Sequence, residues 1–284
     1  MSELLTARNE AATLAGDLPG VLLEARRLAA AAPGVHGRRR SGPGEAFWQF
    51  RDHRPEDGAR LVDWRRSARG ERLYVRERER EAAQTGLFWI DPSPGFAWAS
   101  APEYPSKKRR ALALSIAFAI LLARGGERVG ALGGQSPRNG PRAAERLALD
   151  LLTATPPVPP PVTGRSALIY ASDFYAPVEI WEPRLRQAAA SGASGALIMV
   201  ADPAEEDFPF RGRTLFEEPG SKRDVLFGRA EAARDEYGRR LIAHRTAMRE
   251  MARNFGFLMI VHRTDHSAAP ALALLAASLS ERSG

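Results

Sequence analysis

The sequence predicts an α/β fold: a mostly parallel sheet flanked by helices, preceded by N-terminal helices and a small antiparallel β lobe. From Thr85 onward, apolar runs alternate with amphipathic helical stretches, which is the pattern of a parallel sheet covered on both faces. Before Thr85, short strand-like runs are separated by turn residues. The chain has 284 residues, 44% of them hydrophobic, which is enough for one large core and a smaller lobe.

The first 45 residues are predicted to be helices followed by a loop. Leu4 to Ala32 carry apolar side chains at helical spacing, interrupted at Leu18-Pro19-Gly20, which predicts two short helices packed on the body of the protein. Pro33 to Gly44 then form a loop that contains Arg38-Arg39-Arg40. We assign residues 1–45 to this segment.

Residues 46–84 are predicted to form the small antiparallel β lobe. Its expected strands are Phe47–His53, Leu61–Arg65 and Leu73–Glu81. Large aromatic side chains in such a lobe usually fill its core, and we expect this of Trp48 and Trp64. The charged residues of Asp63-Trp64-Arg65, together with Arg69, are expected to hold the lobe against the sheet through ion pairs.

Residues 85–284 are predicted to form one doubly wound α/β domain. Its five strands are expected at Gly86–Ile90, Arg128–Leu132, Ala167–Ala171, Ala196–Val200 and Phe257–Val261. Its helices are expected near Ser106–Arg124, Pro141–Thr153, Val178–Ser191, Gly228–Phe255 and Ala268–Ser280. Five strands that alternate with helices imply parallel pairing.

Composition excludes several classes of protein. The chain has no cysteine, so disulfides, thiolate metal sites and cysteine nucleophiles are excluded. The longest apolar stretch, Ala111 to Ala123, falls short of the roughly 20 residues that a membrane-spanning helix needs. Glu3 and Glu10 stand where a secretory signal would be basic and then apolar. We therefore expect a cytoplasmic protein with no membrane span.

The basic charge of the chain raises the alternative of nucleic-acid binding. Lys and Arg number 41 against 34 Asp and Glu, and Arg38–Arg40 together with Lys107–Arg110 offer one possible basic face. Arginine supplies nearly all of this charge and is spread along the chain, which is typical of a solvated, ion-paired surface. A basic nucleic-acid-binding protein therefore stays an alternative hypothesis for the function of the chain.

Two acidic residues follow strands of the predicted sheet. Asp91 follows the first sheet strand and Asp173 follows the third. Ligands of open α/β sheets bind at the carboxyl ends of the strands, near the point where the strand order reverses. A metal-dependent hydrolase that uses these two acids is therefore a further alternative. A phosphatase of the haloacid dehalogenase type is disfavoured, because Ser93 stands where its general acid would be.

Several spaced motifs resemble known families. Asp91-Pro92-Ser93-Pro94-Gly95 resembles the Asp-x-Ser-x-Ser of the metal-ion-dependent adhesion site in von Willebrand factor A domains. An upstream motif resembles the bacterial family called domain of unknown function 58, and Asp202–Glu205 with Phe208–Gly212 resembles another stretch of it. The upstream residues are Gly44, Phe47, Arg51, Asp57, Arg60, Asp63, Trp64, Ala68 and Arg69.

The resemblance implies a von Willebrand factor A-like, Rossmann-like fold, often encoded beside a MoxR-type AAA+ ATPase. It brings no established enzymatic activity. We therefore predict a protein-binding module rather than an enzyme, with such an ATPase as its partner.

The adhesion site that the resemblance implies is degenerate. Gly95 replaces the second serine, and Gly133 to Ser136 contain no threonine to serve as a further ligand. Asp91, Ser93 and Asp173 remain as ligands for Mg²⁺, which prefers octahedral oxygen coordination, so we expect little or no metal binding. Phe96 and Trp98 follow this loop and are predicted to be exposed aromatic anchors for the partner.

Overall fold

The computed structural model describes residues 18–32, 47–52, 62–68, 70, 72–78, 85–217 and 224–280. The chain divides into two units, Met1–Val35 with Gln84–Gly284, and His36–Ala83. Helix α1, residues 18–31, belongs to the first unit, where its Val21 and Ala25 are buried. Its first turn contains Pro19, since proline is tolerated where helix amides lack internal partners. The first predicted N-terminal helix lies outside the described residues.

In the second unit, two of the three predicted strands are confirmed. Strand β1 (Phe47–Asp52) pairs antiparallel with β2 (Tyr74–Arg78). The predicted strand at Leu61–Arg65 is wrong, because Trp64–Ser67 forms the short helix α2. Asp63 caps this helix: its Oδ1 accepts the Arg66 amide at 3.0 Å. A local cap of this kind competes with strand pairing.

The expected roles of Trp64 and Asp63 in this lobe are corrected. Trp64 is 62% exposed and does not fill a core. Asp63 serves as the cap of α2, and the Ser67 hydroxyl then accepts the Tyr74 amide at 2.9 Å, which joins α2 to β2. Of the other motif residues, Phe47 and Arg51 lie in β1 and Ala68 directly follows α2. Those outside the described residues are Gly44, Asp57, Arg60 and Arg69.

The first unit is built on a five-stranded parallel sheet, as predicted. Its strands are β3 (Thr85–Ile90), β4 (Arg128–Ala131), β5 (Ala167–Ser172), β6 (Ser194–Ala201) and β9 (Phe257–Arg263). The numbers between β6 and β9 belong to a two-stranded hairpin that precedes β9 in the chain. They are arranged in the order β4-β3-β5-β6-β9, and every pair is parallel. All five sequence-predicted strands are therefore confirmed, with ends shifted by up to two residues.

Helices cover both faces of this sheet. They are α3 (Lys107–Arg124), α4 (Ala143–Thr153), α5 (Val178–Ala190), α7 (Arg234–Asn254) and α8 (Ala269–Ser280). Phe88 and Ile90 of β3 join a core with α1, α3, α4 and α8, whereas Trp89 joins a second core with α5 and α7. Alternate residues of one strand thus enter opposite cores, which is the doubly wound arrangement. Within the described ranges, no helix is long and apolar enough to cross a membrane.

Three short elements between β6 and α7 were not predicted from the sequence. They are helix α6 (Pro203–Asp207) and the hairpin strands β7 (Thr214–Glu217) and β8 (Asp224–Phe227). Phe208, Phe210 and Phe216 form a cluster of ring contacts that holds this hairpin. Helix α7 also begins later than predicted, because Ala230–Ala233 form a 3₁₀ turn before it.

Candidate functional site

The strand order creates a switch point between β3 and β5. From β3 the chain crosses to β4 on one side and later returns to β5 on the other, so the loops after β3 and β5 run apart. Ligand sites of doubly wound sheets lie at this position. Asp91 directly follows β3 and Asp173 directly follows β5, and the register pairs Ile90 with Ala171. The two predicted acids therefore follow neighbouring strands.

The Asp91 carboxylate is bonded on both oxygens. Its Oδ1 accepts the Ser93 amide at 2.8 Å, and its Oδ2 accepts the Ser172 hydroxyl at 2.6 Å. The first bond closes a turn of the kind that aspartate favours, while the second links the ends of β3 and β5. Ser93 itself is exposed and precedes the 3₁₀ turn Pro94–Ala97. Asp91 thus orders the loop after β3.

The Asp173 carboxylate is paired with a buried lysine. The Lys107 Nζ lies 3.0 Å from Asp173 Oδ2 and 2.6 Å from Glu205 Oε1, while the lysine side chain is only 2% exposed. Burial lowers the pKa of the Lys107 ammonium, but the charges of Asp173 and Glu205 outweigh it, so this pKa lies above its ordinary value. Burial also raises the pKa of the Glu205 carboxyl. The charge of Lys107 lowers this pKa, but by less than burial raises it. Lys107 therefore stays charged at neutral pH.

Lys107 and Glu205 both lie at the N-terminal ends of helices, which fix their positions. Lys107 is the first residue of α3, whose cap is Ser106, with the Ser106 hydroxyl accepting the Arg109 amide at 3.2 Å. Glu205 belongs to a capping box in α6: its Oε2 accepts the Asp202 amide at 2.8 Å. Glu205 Oε1 therefore remains available to Lys107.

The loop after β3 is tied to both of these helix ends. The Lys107 amide donates to the Trp98 carbonyl at 3.3 Å. The Ser100 amide donates to Asp202 Oδ2 at 2.9 Å, and Asp202 is fully buried. The Asp202–Glu205 stretch, which resembles a family motif, thus fixes the position of a neighbouring loop as well as its own helix.

Tyr175 is an aromatic residue of this site that sequence reasoning missed. Its amide donates to Asp173 Oδ1 at 3.3 Å, and its ring centroid lies 5.4 Å from the Lys107 Nζ. Phe174 before it adopts a left-handed conformation with φ of 51° and is fully buried, so the chain turns sharply here. Tyr175 is 36% exposed, while burial raises the pKa of its hydroxyl, which lies near Glu205 and Tyr237. No local sequence signal marks this turn, because phenylalanine rarely adopts positive φ.

The two predicted aromatic anchors differ in exposure. The prediction that Phe96 is exposed is wrong: it is fully buried in the core that includes α3. The 3₁₀ turn Pro94–Ala97 directs Phe96 inward, and Trp98 beyond that turn is 38% exposed. The exposed aromatic side chains near the acids are therefore Trp98 and Tyr175.

The acids do not form a metal site of the expected kind. Over the described parts of the chain, no three His, Asp or Glu side chains are grouped so as to hold a metal ion. The oxygens of Asp91 and of Asp173 already accept hydrogen bonds from protein donors. The adhesion-site metal that the sequence resemblance implies therefore does not fit these residues.

We expect millimolar MgCl₂ to change the melting temperature of the protein by less than about 2 °C. Binding stabilises a fold by RT ln(1 + [L]/Kd), which is at most about 0.4 kcal/mol when Kd exceeds the ion concentration. The measurement is differential scanning fluorimetry against NaCl of equal ionic strength. A saturable rise in melting temperature that Asp91→Ala abolishes would contradict the expectation.

The basic residues at the start of α3 do not form the free basic face of the nucleic-acid alternative. Lys107 and Lys108 are buried, at 2% and 9% exposure. Arg109 and Arg110 each donate to the Glu24 carboxylate of α1 at 2.9 Å. The other half of that predicted face, at residues 38–40, lies outside the described residues. This geometry removes the structural support for a basic face at α3.

Comparison with known proteins yields one family and several relatives. The model of a family described as "Protein of unknown function DUF58" matches residues 49–247. An uncharacterized protein of Mycobacterium bovis and another of Mycobacterium tuberculosis are each 26% identical to the chain over 245 residues, which cover 79% of this chain and 76% of the relative.

Two solved structures are similar at low sequence identity. One is an aerotolerance-related membrane protein from Bacteroides fragilis with multiple mutations to serines. Its alignment with this protein covers 70% of this chain and 100% of the other chain, with a TM-score of 0.41 and 14% identity. The conserved hypothetical protein BatB from Bacteroides thetaiotaomicron covers 71% of this chain and 99% of its own, with a TM-score of 0.38 and 14% identity.

Proposed function

Since the chain belongs to the DUF58 family, we propose that it is a non-catalytic protein-binding module that docks its partner at the carboxyl edge of the sheet. We call the surface formed by Asp91, Ser93, Trp98, Asp173 and Tyr175 the docking face. One observation carries the proposal: the acids of this face are bonded within the protein, while two aromatic side chains beside them are exposed. Exposed aromatic residues dominate the binding energy of many protein interfaces.

The bonding of the acids favours binding over hydrolysis. A catalytic carboxylate must reach a substrate proton or a metal-bound water. Asp91 instead accepts from Ser93 and Ser172, and Asp173 accepts from Lys107. Loops at this edge are free to vary without disturbing the sheet, which suits partner recognition.

The partner that we propose is a MoxR-type AAA+ ATPase, encountered in the cytoplasm. The support is the resemblance of the spaced sequence motifs to von Willebrand factor A-like proteins encoded beside such ATPases. In an intact adhesion site, a partner carboxylate completes the shell of a bound metal ion. Here the acids are satisfied internally, so we propose that the loops and their aromatic side chains make the contact directly.

Replacing Trp98 with Ala should weaken the complex by about 2 kcal/mol, roughly thirtyfold in Kd, because truncating a central aromatic residue removes a hot spot. Tyr175→Ala should act in the same direction. The measurement is biolayer interferometry with the purified MoxR-type ATPase from the same organism. The matched control is Leu149→Ala, which removes a side chain of similar exposure, 47%, from the middle of α4.

The possible outcomes test the location of the binding site and the choice of partner separately. Equal affinities for the wild type, Trp98→Ala, Tyr175→Ala and Leu149→Ala would remove this face from the binding site. No detectable binding by the wild type at micromolar ATPase would contradict this choice of partner.

A further inference from the structure

One buried lysine connects the segments that follow three neighbouring strands, two through its ammonium group and one through its backbone amide. The side chain of Lys107 binds Asp173, directly after β5, and Glu205, in the helix after β6. Its backbone amide binds the Trp98 carbonyl in the loop after β3. Because β3, β5 and β6 are consecutive in the sheet, Lys107 lies at the centre of this edge.

We infer that Lys107 is the built-in cation of the docking face: its ammonium takes the place of a divalent ion between Asp173 and Glu205 and, through Asp173, holds Tyr175 in position. This inference rests on the proposed function. An ammonium offers three donors and no acceptor, so it suits a pair of carboxylates as a metal ion does. The Tyr175 ring at 5.4 Å adds a cation–π contact.

The burial of the acids explains why a cation is needed here. The side chains of Asp173 and Glu205 are 18% and 17% exposed, so water screens their charges only weakly. Two such carboxylates beside each other repel unless a positive charge lies between them. Without the lysine, the same oxygens would offer hard ligands to a divalent ion, and Ca²⁺ accepts oxygen ligands in flexible arrangements.

Lys107 acts on the partner through residues that it positions. Asp173, which Lys107 binds, accepts the Tyr175 amide through its other oxygen. The Lys107 amide holds the Trp98 carbonyl, and this bond depends on α3 starting where it does. Loss of the ammonium should therefore loosen Tyr175 through Asp173, while the backbone bond to the Trp98 carbonyl remains. Lys107 is a positioning residue, and it does not itself form the contact surface.

The test uses the full chain as wild type, Lys107→Ala and Leu114→Ala. Leu114 is a fully buried residue of the same helix, so its replacement destabilises the fold without changing charge. Melting temperatures are measured with CaCl₂ and with NaCl of equal ionic strength. We expect CaCl₂ to raise the melting temperature of Lys107→Ala by several degrees and to leave the other two proteins unchanged. Lys107→Gln replaces Lys107→Ala if the latter is insoluble.

Binding to the MoxR-type ATPase is measured on the same proteins at a temperature where all are folded. Lys107→Ala should bind at least tenfold more weakly than Leu114→Ala, and CaCl₂ should restore part of the loss. A calcium response no larger than that of the wild type would overturn the cation assignment. Equal binding by Lys107→Ala and Leu114→Ala would overturn the positioning role. If the wild type itself fails to bind, the proposed function fails, and the melting series still decides whether Lys107 replaces an ion.

Discussion

Replacing Lys107 with methionine should lower the free energy of unfolding by about 3 to 5 kcal/mol, which is typical when one partner of a buried ion pair is removed. Methionine roughly fills the volume of the lysine stem, so the loss comes mainly from the charge. Asp173 and Glu205 would then remain largely buried without their shared cation. The measurement is urea denaturation, in which the midpoint should fall while the m-value stays constant.

A triple variant provides the control for this prediction. Lys107→Met combined with Asp173→Asn and Glu205→Gln removes all three charges at once, and uncharged buried groups often replace an ion pair at little cost. We expect it to regain at least half of the stability lost in Lys107→Met, which would appear as a higher urea midpoint than that of Lys107→Met. A midpoint for Lys107→Met close to that of the wild type would show that the ammonium contributes little.

The sheet could be predicted because its signal is local in the sequence. A buried parallel strand is a short apolar run, and the amphipathic stretch that follows marks the crossover helix. The hairpin β7–β8 has strands of only four residues, and ring contacts with Phe208 and Phe210 hold it in place. Such contacts leave no periodic pattern, so the hairpin was missed. In the small lobe, the cap at Asp63 decided between helix and strand.

The candidate site was only half predictable for a similar reason. A topological rule places Asp91 and Asp173 at the carboxyl edge once the strands are known. The partners of Lys107 are 66 residues away at Asp173 and 98 residues away at Glu205, and no spacing rule connects them. One signal was available, since Asp202-Pro203-Ala204-Glu205 has the form of a capping box before a short helix. That pattern shows where Glu205 is held, but not which cation it meets.

Replacing Phe96 with alanine should destabilise the fold by about 3 to 5 kcal/mol, whereas Trp98→Ala should cost well under half of that. Phe96 is fully buried, so its removal leaves a cavity, while Trp98 is 38% exposed and loses fewer packing contacts. Urea denaturation of the two variants measures the difference.

Binding by the same two variants separates the roles of these neighbouring aromatic residues. At a temperature where Phe96→Ala is still folded, it should bind the MoxR-type ATPase nearly as well as the wild type, while Trp98→Ala, the more stable protein, binds more weakly. This reversal of order follows from the 3₁₀ turn Pro94–Ala97, which places one ring in the core and the other at the docking face. If Phe96→Ala were as stable as Trp98→Ala, the burial that separates the two residues would be wrong, and with it the choice of Trp98 as the anchor.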